Sequence, residues 1–245
     1  MATYSIEDFT YLLEVSDIDK RLSQLDFQRT HLPEAVALND ANSRARDLNV
    51  RKVELEAELS ELKILVSKSE VDVEQVDSRL SKDQTLLDSG SISDSKQLTE
   101  LQQEIENLKK RKSELEDVEL EILSSVEDIQ MTLVSTQREL LEAEHELEVA
   151  KAALESALDD VNSEIIQLGN RRQEIIGSIA GELASLYEKI KNDRGVGAAA
   201  LLGHRCESCH LELTGTDFSE IKKLPETELV RCPECKAILI RVLHG

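Results

Sequence analysis

The sequence predicts a mainly α fold, in which a long antiparallel coiled-coil hairpin precedes a small C-terminal domain. Composition is the first reason: of 245 residues, 32% are charged and 2% are aromatic, as in long helices rather than ordinary globular domains. The second reason is a pair of long segments with apolar residues at heptad spacing. The third is that all four cysteines lie near the C-terminus, in two C-x-x-C pairs.

The first helical segment is predicted from a seam that runs from Leu48 to Leu87. Alternating steps of four and three residues meet apolar side chains at nine of twelve positions, which is the spacing of a coiled coil. Upstream of this seam we expect a helix break near residues 31–34. Pro33 lacks a backbone donor and disfavours helical geometry in the residue before it.

The second helical segment carries a similar seam over residues 98–168, apolar at seventeen of twenty-one positions. The intervening residues 88–94 are rich in glycine, serine and aspartate, which end one helix and cap the next. Folding the chain at this turn brings the two seams into one register, in which Leu80 faces Ile105. We therefore predict that the two segments pair with each other within one chain.

Besides Thr136, polar or charged residues interrupt the two seams at six positions. We interpret them as side chains that set the register at some cost in stability. A binding role is the alternative. The positions are Lys52, Ser69, Asp83, Lys112, Glu119 and Glu164.

The aromatic residues indicate a small packed junction at the end of the hairpin, since five of the six lie outside its central part. These five are Tyr4, Phe9, Tyr11, Tyr187 and Phe218. Residues 195–200, Gly-Val-Gly-Ala-Ala-Ala, are expected to form a hinge, because glycine allows a sharp turn. The predicted domains are the hairpin over residues 1–194, and the hinge with the C-terminal domain over residues 195–245.

Cys206 and Cys209 are separated by twenty-two residues from Cys232 and Cys235. Two residues between cysteines let both thiolates reach one ion from a tight knuckle, and two knuckles complete a tetrahedral site of four sulfurs. The spacing therefore predicts one structural zinc ion in a C4 zinc ribbon. So small a domain buries little apolar surface, and its folding should depend on the metal.

A redox dithiol is an alternative reading of the cysteines, but two paired knuckles favour a metal. His204 or His210 could replace one cysteine ligand. With four cysteines present, we interpret both histidines as surface residues. Within the ribbon we expect a capped short helix over residues 216–225, and strands around residues 211–213 and 237–242.

Catalytic signatures are missing from the sequence, which contains no nucleophile motif, no glycine-rich phosphate loop and no clustered His, Asp and Glu. We therefore expect a protein that is not an enzyme and has no small-molecule substrate. No apolar stretch approaches 18 residues, and the N-terminus lacks a basic region followed by an apolar run. These features predict a cytoplasmic protein without a membrane span, in which paired cysteines bind metal rather than form disulfides.

Three segments resemble one bacterial family with a coiled-coil hairpin and a C4-type zinc ribbon. They are Leu-Leu-Asp-Ser-Gly-Ser-Ile-Ser-Asp at 86–94, the Gly-Val-Gly-Ala-Ala-Ala linker, and Cys-Glu-Ser-Cys-His-Leu-Glu-Leu-Thr-Gly at 206–215. The last two look most like the family's actinobacterial branch. The resemblance implies four cysteine ligands and a cytoplasmic, non-enzymatic protein. The chain is also distantly similar to flagellar-regulatory zinc-ribbon adaptors. Some members of the family resemble adaptors tied to flagellar assembly, sigma-factor binding and mRNA binding.

The leading functional hypothesis is an adaptor that presents the coiled-coil tip and the zinc ribbon to protein partners, in transcription or RNA-linked regulation. The tip candidates comprise four turn residues and a nearby basic run whose alternative interpretation is intrahelical pairing with Glu106, Glu114 and Glu116. The candidates are Asp88, Gly90, Ile92 and Asp94, with Lys109, Lys110 and Arg111. A hairpin that inserts into a polymerase channel is a weaker hypothesis, and homodimerisation stays open.

Nucleic-acid binding through the ribbon is the alternative function. The net charge of −21 lies almost entirely in residues 1–195, so the hairpin should repel nucleic acid. Only the nearly neutral ribbon or a local basic patch could contact RNA or DNA, although the ribbon offers one aromatic residue for stacking. Its candidate cations are Arg205, Lys222, Lys223, Arg231, Lys236 and Arg241.

Overall fold

The structure is a computed structural model that describes residues 4–241. It confirms the predicted fold class, a helical hairpin with a small C-terminal ribbon. The elements are α1 (Ile6–Thr30), α2 (Pro33–Asp88), α3 (Ser95–Ser178), α4 (Gly181–Arg194), β1 (Ala198–Leu202), β2 (Arg205–Cys206), α5 (Gly215–Lys223), β3 (Val230–Arg231) and β4 (Ile238–Arg241). Within the described residues, no helix is both long enough and apolar enough to cross a membrane.

The chain divides into two compact units. The first, which we call the hairpin unit, is Val36–Lys151. The second, which we call the terminal unit, comprises residues 4–35 and 152–241 of the part of the chain that the structure describes. The sequence-based domain boundary between residues 194 and 195 stays a prediction.

The hairpin unit consists of two antiparallel helical segments from α2 and α3. Its seam side chains Leu55 and Ile105 are almost completely buried, as predicted from the heptad pattern. Ion pairs between the helices establish the direction, since the residue number rises on α3 as it falls on α2. The pairs are Arg79–Glu104, Asp77–Lys112 and Arg44–Glu146.

The polar seam residues take part in contacts within the chain. Ser69 is buried, and four of the other five form ion pairs with residues of the same chain. These pairs are Lys52–Glu56, Asp83–Arg79, Lys112–Asp77 and Glu164–Arg21. Only Lys112–Asp77 and Glu164–Arg21 join different helices, and these two contacts support a role in setting the register.

Helices α1 and α2 are separated where the sequence predicts a break. Helix α1 ends at Thr30, and the backbone N–H of His31 donates to the Gln28 carbonyl at 3.0 Å. Helix α2 begins at Pro33, a position where a missing N–H costs no helical hydrogen bond. The ring of Phe27 is 65% exposed and stacks on His31 with centroids 4.0 Å apart.

The main core of the terminal unit lies between α1, the end of α3, α4 and one face of the sheet. Tyr4 and Tyr11 pack at its margin. Four of the five aromatic residues expected at a junction therefore meet there, whereas Phe218 packs against a second cluster in the ribbon. The core residues are Phe9, Leu12, Val15, Ile18, Ile175, Ile179, Leu183, Tyr187, Ile190, Ala198, Ile238 and Ile240.

The four strands form one sheet in the order β2-β1-β4-β3. Strand β1 pairs in parallel with β4, and the two outer pairings are antiparallel. Successive side chains point to opposite faces of a sheet. Ala198 accordingly belongs to the helical core, whereas Ala199 and Leu201 belong to the ribbon core. The sheet thus separates two apolar clusters.

The alanines that we expected in a hinge form strand β1 instead. Ala198 and Ala199 are fully buried, because pairing with β4 places them between the two clusters. Of the two glycines before them, Gly195 turns the chain. Gly195 ends α4 with a φ of 86°, in the left-handed region that suits glycine. Gly197 lies directly against the ring of Tyr187.

Replacing Gly197 by alanine is expected to lower the free energy of unfolding by about 1–3 kcal/mol, the usual cost of overpacking a core. The new Cβ would lie 2.5 Å from Cε2 of Tyr187, a ring that is fully buried and hydrogen-bonded. Urea unfolding followed by circular dichroism measures the change.

The matched control for Gly197→Ala is Gly169→Ala. Gly169 lies inside α3, and a Cβ there meets nothing within 4 Å. The control should raise stability by about 0.5–1 kcal/mol, since glycine disfavours helix. Equal effects at the two positions would contradict the proposed clash.

The short ribbon helix α5 is Gly215–Lys223, which begins one residue before and ends two residues before the predicted range 216–225. Its N-cap is Thr214, whose hydroxyl accepts from the backbone N–H of Asp217 at 3.1 Å. The strand expected at residues 211–213 is reduced to a single bridge between Glu212 and Arg205. Strand β4 begins at Ile238, and the last residue of its predicted range, 242, lies outside the described residues.

Candidate metal centre

The four cysteines of the ribbon converge on one point. Their Sγ atoms all lie within 4.8 Å of one another. The Sγ atoms of Cys206 and Cys235 are 3.8 Å apart, as are those of Cys209 and Cys232. A tetrahedral zinc ion with Zn–S bonds of about 2.3 Å separates its sulfurs by about 3.8 Å. Two of the six Sγ–Sγ distances therefore match this geometry, and the other four, all within 4.8 Å, are close to it.

The backbone of the two knuckles follows the same path. The N–H of His210 donates to the Cys206 carbonyl at 2.8 Å, and that of Lys236 donates to the Cys232 carbonyl at 3.1 Å. His210 and Lys236 both have positive φ, 58° and 66°. This left-handed conformation is uncommon outside glycine. Each knuckle therefore turns back sharply after its second cysteine and directs two sulfurs to the same side.

The ribbon core holds the knuckles in place. Cys206 and Cys232 are buried in the second apolar cluster, whereas Cys209 and Cys235 are half-buried at its edge. The other buried members of this cluster are Ala199, Leu201, Leu213, Ile221, Val230 and Leu239. They come from β1, α5, β3, β4 and the segment before α5, so the metal and the small core depend on each other.

The thiols have unequal proton affinities. Burial raises the pKa of the Cys206 thiol to about 12 and also raises the pKa of Cys232. Burial would raise the pKa of the Cys235 thiol too. Hydrogen bonds, the strongest of them donated by the Ala237 backbone N–H, outweigh burial and lower that pKa. Zinc binds thiolates, so loading this site releases protons. Four sulfur ligands complete the tetrahedron and leave no position for a reactive water.

The two histidines near the knuckles are exposed, as expected for surface residues. His204 stacks on Phe218 with ring centroids 3.8 Å apart. Phe218, the one aromatic residue of the ribbon, is thus engaged within the chain. The face of the ring that packs on His204 is not available to a base.

The candidate nucleic-acid-binding cations are not equivalent. The Arg241 guanidinium donates to four carbonyls that close the end of α5 and the loop after it, so its role is structural. These carbonyls belong to Ile221, Leu224, Pro225 and Glu228. Arg231 donates to the Lys236 carbonyl at 2.9 Å, Lys236 donates to Pro233, and Arg205 lies 3.7 Å from Glu207. Lys222 and Lys223 lie exposed in the last turn of α5.

The four candidate tip residues lie together in the turn between α2 and α3. Gly90 has a φ of 63°, and Oδ1 of Asp94 accepts from the Lys96 backbone N–H at 2.9 Å. Both residues therefore shape the turn. Asp88 is exposed and Ile92 is half-buried, which leaves these two as candidate contact residues.

The basic run on α3 is largely engaged within the hairpin unit. Lys109 lies 3.0 Å from Glu106, and Arg111 lies 3.6 Å from Glu114. These are the intrahelical pairs of the alternative interpretation. Lys110 has no ion-pair partner within the described residues.

A buried ionic cluster in the terminal unit was not found by sequence reasoning. Asp19 is 7% exposed and accepts hydrogen bonds from three groups: Arg172 at 2.7 and 3.2 Å, Lys191 at 2.7 Å and the Tyr187 hydroxyl at 2.7 Å. Arg172 also donates to Glu188 at 2.6 Å. The cluster joins α1, α3 and α4. A single acidic residue at a core position of α1 was the one available signal.

The cluster shifts the proton affinities of its members. Burial alone would raise the pKa of Asp19, but the hydrogen bonds from Arg172, Lys191 and Tyr187 outweigh it and lower that pKa. Burial and the hydrogen bond to Asp19 raise the pKa of Tyr187. The bond to Asp19 likewise raises the pKa of Arg172. Asp19 is therefore held as a carboxylate.

Two family models match the chain, one for each part. The model of the CT398-like coiled coil hairpin domain matches residues 15–195. The model of the C4-type zinc ribbon domain matches residues 205–239. The second range contains all four cysteines that converge in the structure.

Related proteins align along almost the whole chain. The uncharacterized protein Rv2229c of Mycobacterium tuberculosis is 35% identical over 231 residues, 94% of each chain. A solved structure from Mycobacterium smegmatis is 29% identical, with a TM-score of 0.82, over 98% of this chain and 100% of that one. CT398 of Chlamydia trachomatis is 19% identical, with a TM-score of 0.67, over 96% and 98% of the two chains, and shares the fold.

Proposed function

The chain belongs to the family of CT398-like coiled-coil hairpin proteins with a C4-type zinc ribbon, and we propose that it is a non-enzymatic adaptor that presents the hairpin tip and the ribbon to protein partners. The observation that carries this proposal is the completeness of the metal centre. Four converging thiols occupy every ligand position of a tetrahedral ion, so the zinc supports a folded surface.

The proposed ligands of the single structural zinc are Cys206, Cys209, Cys232 and Cys235. The convergence of all four Sγ atoms within 4.8 Å, with two pairs at 3.8 Å, supports this set. His204 and His210 are not needed as ligands. The proposed location is the cytoplasm, where thiols stay reduced and available to zinc.

The tip is the proposed partner-binding end of the hairpin unit. Its backbone is preorganised by Gly90 and Asp94, so binding there loses little conformational entropy. Asp88 and Ile92 are the side chains that a partner would contact. The proposed partner is a protein, because the carboxylate of Asp88 does not favour nucleic-acid phosphates.

Combining Asp88→Asn with Ile92→Ser is expected to lower the recovery of a protein partner at least about tenfold, as loss of a central apolar contact and a charge does at interfaces. Affinity capture from native lysate with quantitative mass spectrometry measures recovery against the wild type. Gly90 and Asp94 are kept, so that the turn stays folded.

Asp47→Asn with Val50→Ser is the matched control for the tip variant, since it makes the same kinds of change on exposed positions of α2. Every partner of the wild type should remain bound to this control. If the tip variant also retains all of them, the tip proposal is wrong.

Nucleic-acid binding through the ribbon has less support. The Arg241 guanidinium donates its hydrogen bonds to backbone carbonyls, and one face of the Phe218 ring packs on His204. Lys222 and Lys223 are adjacent to each other in the last turn of α5, and both are exposed and could contact phosphate. Salt-sensitive RNA or DNA binding that Lys222→Gln with Lys223→Gln abolishes would favour this alternative over the adaptor.

A further inference from the structure

Helix α3 exposes an apolar stripe on the side that faces away from its partner helix. Leu120, Met131, Val134 and Leu141 are 64%, 65%, 58% and 67% exposed. All four fall on two neighbouring heptad positions opposite the seam that contains Leu133, and Ser124, Glu127 and Arg138 occupy the same positions between them. Single exposed apolar residues are common on protein surfaces, whereas a larger exposed apolar patch with a polar rim is typical of an interaction surface. Coiled-coil helices ordinarily carry polar residues on this side.

Uncompensated negative charge surrounds this stripe. Residues 117–142 contain seven carboxylates and one cation, Arg138. Among the residues that the structure describes, none of these seven carboxylates lies within ion-pair distance of a basic side chain. Six are exposed at the outer face or beside it: Asp117, Glu121, Glu127, Asp128, Glu139 and Glu142.

The outer side of α2 can be compared with that of α3 in its exposed apolar residues and its charge. It too exposes an aligned apolar series, which comprises Val50, Val53, Ile64 and Val71. Residues 50–71, however, contain four basic and five acidic residues. The two stripes therefore match in exposed apolar side chains and differ in charge.

We propose that the outer face of α3 between residues 117 and 142 docks an amphipathic helix of a partner protein, with lysine or arginine beside its apolar stripe. The inference rests on the proposed adaptor function. Apolar contact would bury the four exposed side chains, and the basic residues would neutralise the carboxylates. A helix of about 22 residues spans the stripe, since about 32 Å separates its ends at 1.5 Å per residue.

Other occupants fit this face less well. A second copy of the chain would bring like charges together, which opposes association. An anionic membrane surface would repel the same carboxylates. Both remain as distinguishable outcomes of the experiment below.

The test uses the full-length, zinc-loaded protein and a labelled synthetic 22-residue peptide with leucine at heptad spacing and lysine beside it. Binding is followed by fluorescence anisotropy. The combination Leu120→Gln, Met131→Gln and Leu141→Gln should weaken binding at least about tenfold, because each lost apolar contact is worth roughly that factor. Affinity should also fall as salt rises, through screening of the carboxylates.

The control variant combines Val50→Gln, Val53→Gln and Ile64→Gln on the outer side of α2. It should bind the lysine peptide within about twofold of the wild type, a change smaller than one lost apolar contact produces. A peptide with glutamate in place of lysine should not bind the wild type. These two controls separate a directed docking face from general attraction of a basic peptide to an acidic protein.

Four results would overturn the proposal. The first three are equal loss of peptide binding in the α3 and α2 variants, equal binding of the glutamate and lysine peptides, and a wild-type dimer in sedimentation that the α3 variant converts to monomer. Binding to anionic vesicles that the α3 variant abolishes would also overturn it in favour of a membrane. The peptide assay does not involve Asp88 or Ile92, so failure of the tip and failure of this face are separately observed.

Discussion

Replacing Cys232 by serine is expected to unfold the zinc ribbon while leaving the paired helices of the hairpin unit folded. Cys232 is 1% exposed and belongs to both the metal centre and the ribbon core. Structural zinc contributes about 10–16 kcal/mol in small zinc domains, far more than this small core provides. Loss of one thiolate should therefore remove the metal and the ribbon fold together.

Zinc content by mass spectrometry should fall from one ion per chain to none in Cys232→Ser. Amide resonances of residues 198–241 should collapse towards unfolded positions, while the helical circular dichroism signal persists. A chelator should have the same effect on the wild type. Glu234→Gln is the control, because Glu234 lies between two cysteines and is exposed. A zinc-free variant with native ribbon resonances would contradict the proposed role of the metal.

Replacing Asp19 by alanine is expected to lower the free energy of unfolding by about 3–5 kcal/mol, the usual result of removing one partner from a buried ion pair. The change would leave Arg172, Lys191 and the Tyr187 hydroxyl without their common acceptor. Urea unfolding measures the loss, and hydrogen exchange should locate it in α1, the end of α3 and α4.

Asp17→Ala is the control for Asp19→Ala. The Asp17 side chain is 74% exposed and pairs with Lys20. An exposed ion pair contributes less than about 1 kcal/mol, so the control should be nearly neutral. Similar losses in the two variants would rule out a special role for the buried cluster.

Acid should reduce the difference in the free energy of unfolding between the wild type and Asp19→Ala. The pKa of Asp19 is lowered in the folded protein, so its carboxylate stabilises the fold above the ordinary aspartate pKa of about 4. This contribution is lost as the pH falls through the lowered pKa. Stability curves that stay parallel down to strongly acidic pH would show that ionisation of Asp19 is not the cause.

Features that depend on local or periodic sequence patterns were predicted well. Heptad spacing gives the seam that buries Leu55 and Ile105, and Pro33 begins a helix because of its own geometry. The cysteine pairs converge because two intervening residues suffice for a knuckle. Each of these features is determined by residues that are close in sequence or regularly repeated.

Features that depend on distant residues were missed. Ala198 to Ala200 form a strand because they pair with Ile238 to Ile240, which no property of alanine indicates. Asp19 and Arg172 come together through packing between α1 and α3, far apart in the chain. The four carbonyls to which Arg241 donates could not be identified from the sequence, because they belong to the end of α5 and the loop after it.

The packing of α1 against the sheet has a consequence for synthesis on the ribosome. Phe9, Leu12 and Val15 are made well before Ile238 and Ile240, two β4 residues of the core that they share. During synthesis the paired helices of residues 36–151 can form before β4 exists. The apolar face of α1 is therefore completely covered only after the ribbon segment has been made, and until then part of that face is open to chaperones and proteases.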